Sequence, residues 1–349
     1  MQKTLEPIIV TAVALLFSVL LIALFITSTG NDPIAVFKTI YKGSFGSWFS
    51  VQNTLVRAAP LLLTALCTAI PARAGLVIIG GEGAMVIGGL FSAITGISLS
   101  GNSPIFILTA MMLSGAMSGG LWIALAGFLN YYRGVNETIS SLLLNYIAIA
   151  ILNFLVFGML KDPETLNKPS SFHIGEANML GVIGESSIHW GIVFGILLCL
   201  LLWFVSLRTT FGFSVSIVGG NPRAAKLAGI SVGKMIVISC FIGGACAGLA
   251  GVIEVAAVHG RANGSLNSGY GYAGILVAFL ARHNPLAIIP FAVLMGGIQA
   301  AGGLLQRRHG LPDASVEVIQ GMMFVVILGS EALYGRMPFF KNKSIGVSV

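Results

Sequence analysis

Charge is scarce in this sequence. Only 9% of its 349 residues are Asp, Glu, Lys or Arg, where a soluble globular domain carries about a quarter. With 56% apolar residues and a mean hydropathy of +0.94, the chain lacks the polar surface of a soluble protein and reads as an all-α integral membrane protein. Cysteine is equally sparse. Cys67, Cys199, Cys240 and Cys246 each sit inside an apolar run, without the spacing of a disulfide framework or a metal site, and read as small packing residues. There is no HExxH, no nucleophile elbow and no His/Cys cluster. Those absences exclude the familiar catalytic constellations, so no enzyme activity, no cofactor and no metal is expected in this chain. The net charge of +7 does not argue for nucleic acid, because basic residues in a polytopic protein chiefly set its orientation.

What is present is apolar length. Runs of about 20 residues suffice to cross a bilayer, and nine fall near 8–28, 52–70, 75–97, 104–129, 138–160, 189–207, 235–257, 285–305 and 316–332. The first is too long for a signal-peptide core and lacks a clear cleavage site, so it reads as a span. A tenth stretch, 269–280, is short and counts only as a broken or tilted crossing. With the N-terminus inside, eleven basic residues fall on the cytoplasmic side, Arg336, Lys341 and Lys343 among them, against seven outside. Omitting the short span would leave the basic C-terminal tail outside. The expectation is therefore about ten transmembrane helices in one permease domain, 1–349, with both termini cytoplasmic. The longest inner segment is 208–234 and the longest outer loop 161–187. Nothing between the spans is long enough for a soluble domain.

Three letter patterns mislead. GYGYAG, beginning at Gly269, matches G-x-G-x-x-G but has neither the preceding strand nor the later acid of a dinucleotide site. GISVGKM, beginning at Gly229, resembles a P-loop, yet it is one residue short between its glycines and ends on Met235 in place of Ser or Thr. Asn136 and Asn263 head sequons by letter only.

Polar residues at membrane depth carry more weight, since an unpaired charge there costs roughly 3 kcal/mol or more. Glu82 lies in IIGGEGAMVIGG beside Gly80, Gly81 and Gly83, a glycine cluster that weakens helix. A break there would turn backbone groups toward a cavity, as transporters do at a pathway. Equally, Glu82 would stabilise a helix N-terminus through its dipole. A second interruption, NSGYGYAG, contains Gly269 and Gly271. If the chain is two five-helix halves, the two breaks occupy corresponding spans, the sequence pointer to a midplane pathway. Asn145 and Asn153 lie eight residues apart in the fifth span, on roughly one face, and fit interhelical hydrogen bonding better than solute contact. Arg57 and Glu254 fall near the outer ends of their spans, where snorkelling or an ion pair accounts for them. Gly115-xxx-Gly119 and Gly244-xxx-Gly248 read as close-packing surfaces.

The phrase GGNPRAAKLAG stands apart. Asn221 is a favoured N-cap, Pro222 suits the first helical position and Gly229 is a natural stop. Arg223 and Lys226 share one face between them. With a single large apolar side chain, Leu227, the element is too small to hold a membrane surface. It is better suited to docking into another protein.

The string TTFGFSVSIVGGNPRAAKLAGIS resembles the cytoplasmic coupling segment of ABC importer permeases of the branched-chain amino acid, simple sugar and nucleoside class. RAAPLLLTALCTAI, GLVIIGGEGAMVIGG, VNETISSLLLNYIA and GYGYAGILVAFLARHNPLAIIPFAVLMGG resemble that family's other blocks in the same order, and the nucleoside permeases are the nearest subgroup. The resemblance implies a ten-helix subunit of a bacterial inner membrane. Its partners would be a second, similar permease (expected as a heterodimer), ATP-binding-cassette ATPases docked on 221–229, and a periplasmic or lipoprotein substrate-binding protein. Residues 221–229 become the coupling helix, while Glu82, Asn136, Glu137 and Asn145 match family motif positions. The family often has Asn-Ile-Gly-x-Glu-Gly-Gln where this chain has Ile78-Ile79-Gly80-Gly81-Glu82-Gly83-Ala84, so two amides are absent. The expected function is inward movement of a nucleoside-like or simple-sugar solute by alternating access. Gly81, Glu82, Gly83, Asn145, Gly269 and Gly271 are its candidate pathway residues. The alternative is an ion-coupled secondary transporter using Glu82 or Glu254.

Overall fold

The computed structural model describes residues 2–165 and 168–333. Arg336, Lys341 and Lys343, which the orientation argument places inside, lie outside the described residues. Fourteen α-helices follow in order: α1 Gln2–Ser28, α2 Pro33–Phe45, α3 Trp48–Ala72, α4 Gly81–Ser98, α5 Pro104–Arg133, α6 Glu137–Phe157 and α7 Gly191–Arg208. Then come α8 Thr210–Gly220, α9 Pro222–Leu227, α10 Val232–Ile253, α11 Tyr270–Leu280, α12 Pro285–Ala300, α13 Gly302–His309 and α14 Ala314–Leu333. The helix α10 runs on into a π-helical turn, Glu254–His259. Among the described residues β-pairing is limited to three isolated bridges. The chain is thus all-helical, as its composition requires of a polytopic protein.

Among the described residues seven helices are long and apolar enough to cross a membrane, or up to eight if the bent pair Val13–Ser28 and Pro33–Phe45 forms one span. That is fewer than the ten expected crossings. The difference lies in elements such as α11, whose eleven residues reach only about 16 Å, and the short apolar helix Ala314–Ser330. The expected span at 75–97 also changes, because the helix begins only at Gly81 and residues 76–80 form an irregular strap.

Two compact units are present. One comprises the residues up to Gly43 together with those from Ala301 onward, and contains the contact of α1 with α14. Within it, His309 Nε2 and Thr39 Oγ1 stand 2.9 Å apart. The other, Ser44–Ala300, holds α3 to α12.

In the Ser44–Ala300 unit α5, α10 and α4 pack together, and α3 runs beside α10, α11 and α12. The two small-residue motifs explain the α5–α10 contact, because they meet each other. A Cβ on Gly119 would stand 2.6 Å from both Gly244 O and Gly248 Cα. Backbone therefore lies on backbone, the arrangement that gives helices close approach where lipid supplies no hydrophobic drive. Around this contact Val86, Leu90, Met111, Leu152, Val252 and Leu266 form one buried apolar cluster. All four cysteines are free and buried.

Candidate functional site

The two glycine-rich interruptions, far apart in sequence, meet. Glu82 lies in the first turn of α4 and is fully buried. Its carboxylate reaches the first turn of α11, where Oε1 accepts the Gly269 N–H at 2.8 Å and Oε2 the Gly271 N–H at 2.5 Å. Each helix start leaves unsatisfied N–H groups and carries the positive end of its dipole. The carboxylate therefore accepts two N–H groups of the α11 start while standing in the first turn of α4, where an acidic side chain favours the helix dipole. Gly269 is the N-cap of α11 with φ of +79°, a conformation glycine adopts without steric cost. Gly271 must lack a side chain for another reason, since a Cβ there would meet the Glu82 backbone and stand 2.7 Å from Oε2. The α11 start is tied to α3 as well, through Thr64 Oγ1, which donates to Tyr270 O at 3.0 Å.

The strap 76–80 has almost no backbone hydrogen bonds of its own, and a buried irregular segment must find partners elsewhere. The helix α6 supplies most of them from one face. Thr138 Oγ1 donates to Val77 O (2.9 Å), Ser141 Oγ accepts from Ile79 N (3.1 Å) and Asn145 Nδ2 donates to Ile79 O (3.1 Å). From α3, Thr68 Oγ1 donates to Ile78 O at 3.2 Å. Asn145 Oδ1 then accepts Gly83 N–H at 2.8 Å, and Tyr272 Oη stands 3.4 Å from Nδ2. Asn145 thus joins the strap, the α4 start and the α11 start. Gly83 gives it room, for a Cβ there would stand 2.9 Å from Asn145 Cα.

A second polar group surrounds the π turn. Glu254 is buried, with His259 Nε2 3.5 Å from its carboxylate. Arg57 interacts with Glu254 and with the Tyr270 hydroxyl. The segment expected as an outer loop folds onto this region. Leu180 N–H bonds to Ala256 O at 2.6 Å, Ile174 N–H to Gly260 O at 2.9 Å, and Arg261 pairs with Asp162 at 3.6 Å.

The GGNPRAAKLAG element is a separate place. Asn221 caps α9, its Oδ1 accepting the Arg223 and Ala224 N–H groups at 3.0 and 3.1 Å. Pro222 occupies the first turn, and Gly229 ends the element with φ of +77°. Ala225 is buried beneath it, while Arg223 and Lys226 are exposed and Leu227 is 91% exposed. An apolar side chain so presented, next to two cations, is a surface that nothing among the described residues covers.

The structure therefore brings Gly81, Glu82, Gly83, Asn145, Gly269 and Gly271 into one junction and leaves Asn221, Pro222, Arg223, Lys226 and Gly229 as a second site. Asn153 does not share the inward face of Asn145, being exposed; eight residues advance a helix about 80° beyond two turns. Sequence reasoning passed over Thr138, Ser141, Thr64 and Thr68. The spacing of Thr138, Ser141 and Asn145 at i, i+3 and i+7 marks one polar stripe and was the available signal.

The chain is thus a helical protein with several apolar spans, two helix starts meeting at a buried carboxylate, and a capped polar helix set apart from them. Residues 50–328 match the family model described as branched-chain amino acid transport system / permease component. The chain belongs to that family. It is 29% identical to the guanosine ABC transporter permease protein NupP of Bacillus subtilis, over 98% of this chain and 99% of that one. It is 30% identical to NupQ, also a guanosine ABC transporter permease of Bacillus subtilis, over 84% and 97%. The glucose ABC transporter permease protein TsgB13 of Haloferax volcanii is 29% identical over 91% of this chain and 84% of its own.

Proposed function

We propose that this chain is the membrane-spanning subunit of an ATP-driven importer for a nucleoside-like or sugar-like solute. ATPase subunits dock on α9, a second permease completes the translocation pathway as a heterodimer, and a secreted or lipid-anchored binding protein delivers solute from outside. Both termini are cytoplasmic in this reading, and α4 and α11 are broken spans that face the pathway, one in each half of about ten crossings. The observation that carries it is α9: a self-capped helix of six residues that exposes Arg223, Lys226 and Leu227, within a permease whose relatives are named for guanosine and glucose transport. In this mechanism ATP binding moves the docked partner, α9 follows, and the junction at Glu82 shifts between outward and inward access.

The ion-coupled alternative has less support. A coupling site needs a carboxylate free to exchange its ion; both Glu82 oxygens are engaged by backbone N–H groups, and Glu254 is buried with His259 3.5 Å from its carboxylate. The test is uptake in proteoliposomes. The reading predicts solute entry with ATP, the ATPase, the second permease and the binding protein. Uptake by this chain alone on an ion gradient, without ATP, overturns it.

A further inference from the structure

Between α9 and the Glu82 junction the chain offers one continuous physical connection. Gly219 sits two residues before the α9 cap, at the end of α8. A Cβ added there would meet Arg73 O and stand 3.0 Å from the carbonyl carbons of Arg73 and Ala74. From the opposite side Gly75, with φ of +84°, would place a Cβ 3.4 Å from Gly219 Cα. Two bare backbones therefore touch, with no flexible side chain between them to absorb a displacement. Apolar packing runs the same way: Ala225 of α9, Val215 and Val218 of α8, and Ala74, Leu76 and Ile78 around the strap belong to one buried cluster.

The strap leads from Gly75 to Glu82 in seven residues. Its backbone is held by side chains of α6 and α3 rather than by a helical ladder, so a shift at its start bears on those anchors. At its far end Ser141 and Asn145 hold Ile79 and Gly83, and Glu82 holds the α11 start.

We propose that Gly219, Gly75 and the strap 76–80 are the positioning elements that carry movement of α9 to the α4–α11 junction, with Ser141 fixing the strap to α6. The proposal rests on the reading of α9 as the ATPase-docking helix. Gly219 and Ser141 then act on the pathway without touching solute or ATP. Packing continuity alone does not make a coupling route; a shift in the coupling between sites does.

The experiment uses the complete reconstituted importer, with ATP turnover and solute uptake measured on the same vesicles and assembly checked by co-purification. Gly219→Val wedges the contact open, and Ser141→Ala removes one strap anchor while leaving the glycine contact intact. The expected result is assembly and ATP turnover near wild type with solute moved per ATP reduced about tenfold, within the usual range of coupling between sites. Unchanged solute per ATP in both variants overturns the proposal, as does uptake that falls only in step with ATP turnover. If Gly219→Val fails to assemble, Ser141→Ala decides on the same criterion. Arg223→Glu/Lys226→Glu is run in parallel. Normal coupling there refutes the docking role of α9, whereas uncoupling there with normal coupling in the strap variants refutes only this route.

Discussion

The Glu82 carboxylate grips Gly271 at the start of α11, 2.5 Å from its N–H, while Glu82 itself stands in the first turn of α4. Two helices that begin in the protein interior share one anion. Such starts expose amides that lipid cannot satisfy: Glu82 accepts those of Gly269 and Gly271 at α11, while Asn145 accepts that of Gly83 at α4.

Removing the Glu82 carboxylate strands the Gly271 N–H, which is buried, and the Gly269 N–H, which is partly so. Glu82→Ala is expected to destabilise the protein by about 3 kcal/mol, the scale of lost hydrogen bonds to a charged group. Glu82→Gln keeps one amide oxygen and should lose less. Thermal unfolding in detergent, followed by loss of the monodisperse peak, ranks the three proteins.

Gly271 tests the same contact from the other side. The methyl of Gly271→Ala meets the Glu82 backbone, so a loss of about 1–3 kcal/mol is expected from overpacking. A neighbouring control, Ala273→Gly, adds no bulk and should leave the Glu82 contact unstrained. Equal stability of Gly271→Ala and wild type in the same unfolding assay would show that α4 and α11 do not meet as described.

Asn145 needs both ends of its amide, one to accept from Gly83 and one to donate to Ile79. Asn145→Asp keeps the acceptor and sets a second oxygen against the Ile79 carbonyl. It should therefore be at least as damaging as Asn145→Ala, each costing about 1–3 kcal/mol. Proteolysis of the strap in detergent micelles should accelerate in both variants.

His283, between α11 and α12, adopts φ of +55° and packs edge-on against Phe279 with ring centroids 4.9 Å apart. Burial, aided by the Arg282 charge, lowers its pKa from 6.5 to about 4. A folded-state pKa below the unfolded one means that its contribution to stability is complete above pH 6.5 and is lost as pH falls toward 4. Comparing unfolding temperatures across that window should show a shallower decline for His283→Asn, since Asn tolerates positive φ and does not titrate.

Local signals in the sequence were enough for some of this. Asn221, Pro222 and Gly229 announce α9 because caps act within one turn. The glycines around Glu82 and Gly271 mark weak helix for the same local reason, and α4 and α11 begin there. That the breaks meet depends on tertiary packing across 187 residues, to which no local rule has access. The crossing count suffered from a related cause. An apolar run shows only that a segment avoids water, so the strap before α4 reads like the helix it precedes. The π turn at 254–259 left no pattern in the letters, whereas Gly30, Asp32 and Pro33 mark the bend between α1 and α2, with Asp32 capping α2. Asn145 was read as a hydrogen-bonding residue, and its partners are main-chain groups of the strap and the α4 start together with the Tyr272 hydroxyl of α11.

The central claim is that ATP hydrolysed in a partner chain reaches this permease through α9. The direct measurement is ATP-driven solute uptake by the reconstituted importer carrying Arg223→Glu/Lys226→Glu, beside wild type, with membrane insertion verified for both. The account predicts normal insertion and loss of uptake in the charge-reversed protein. Wild-type uptake in that protein would contradict it.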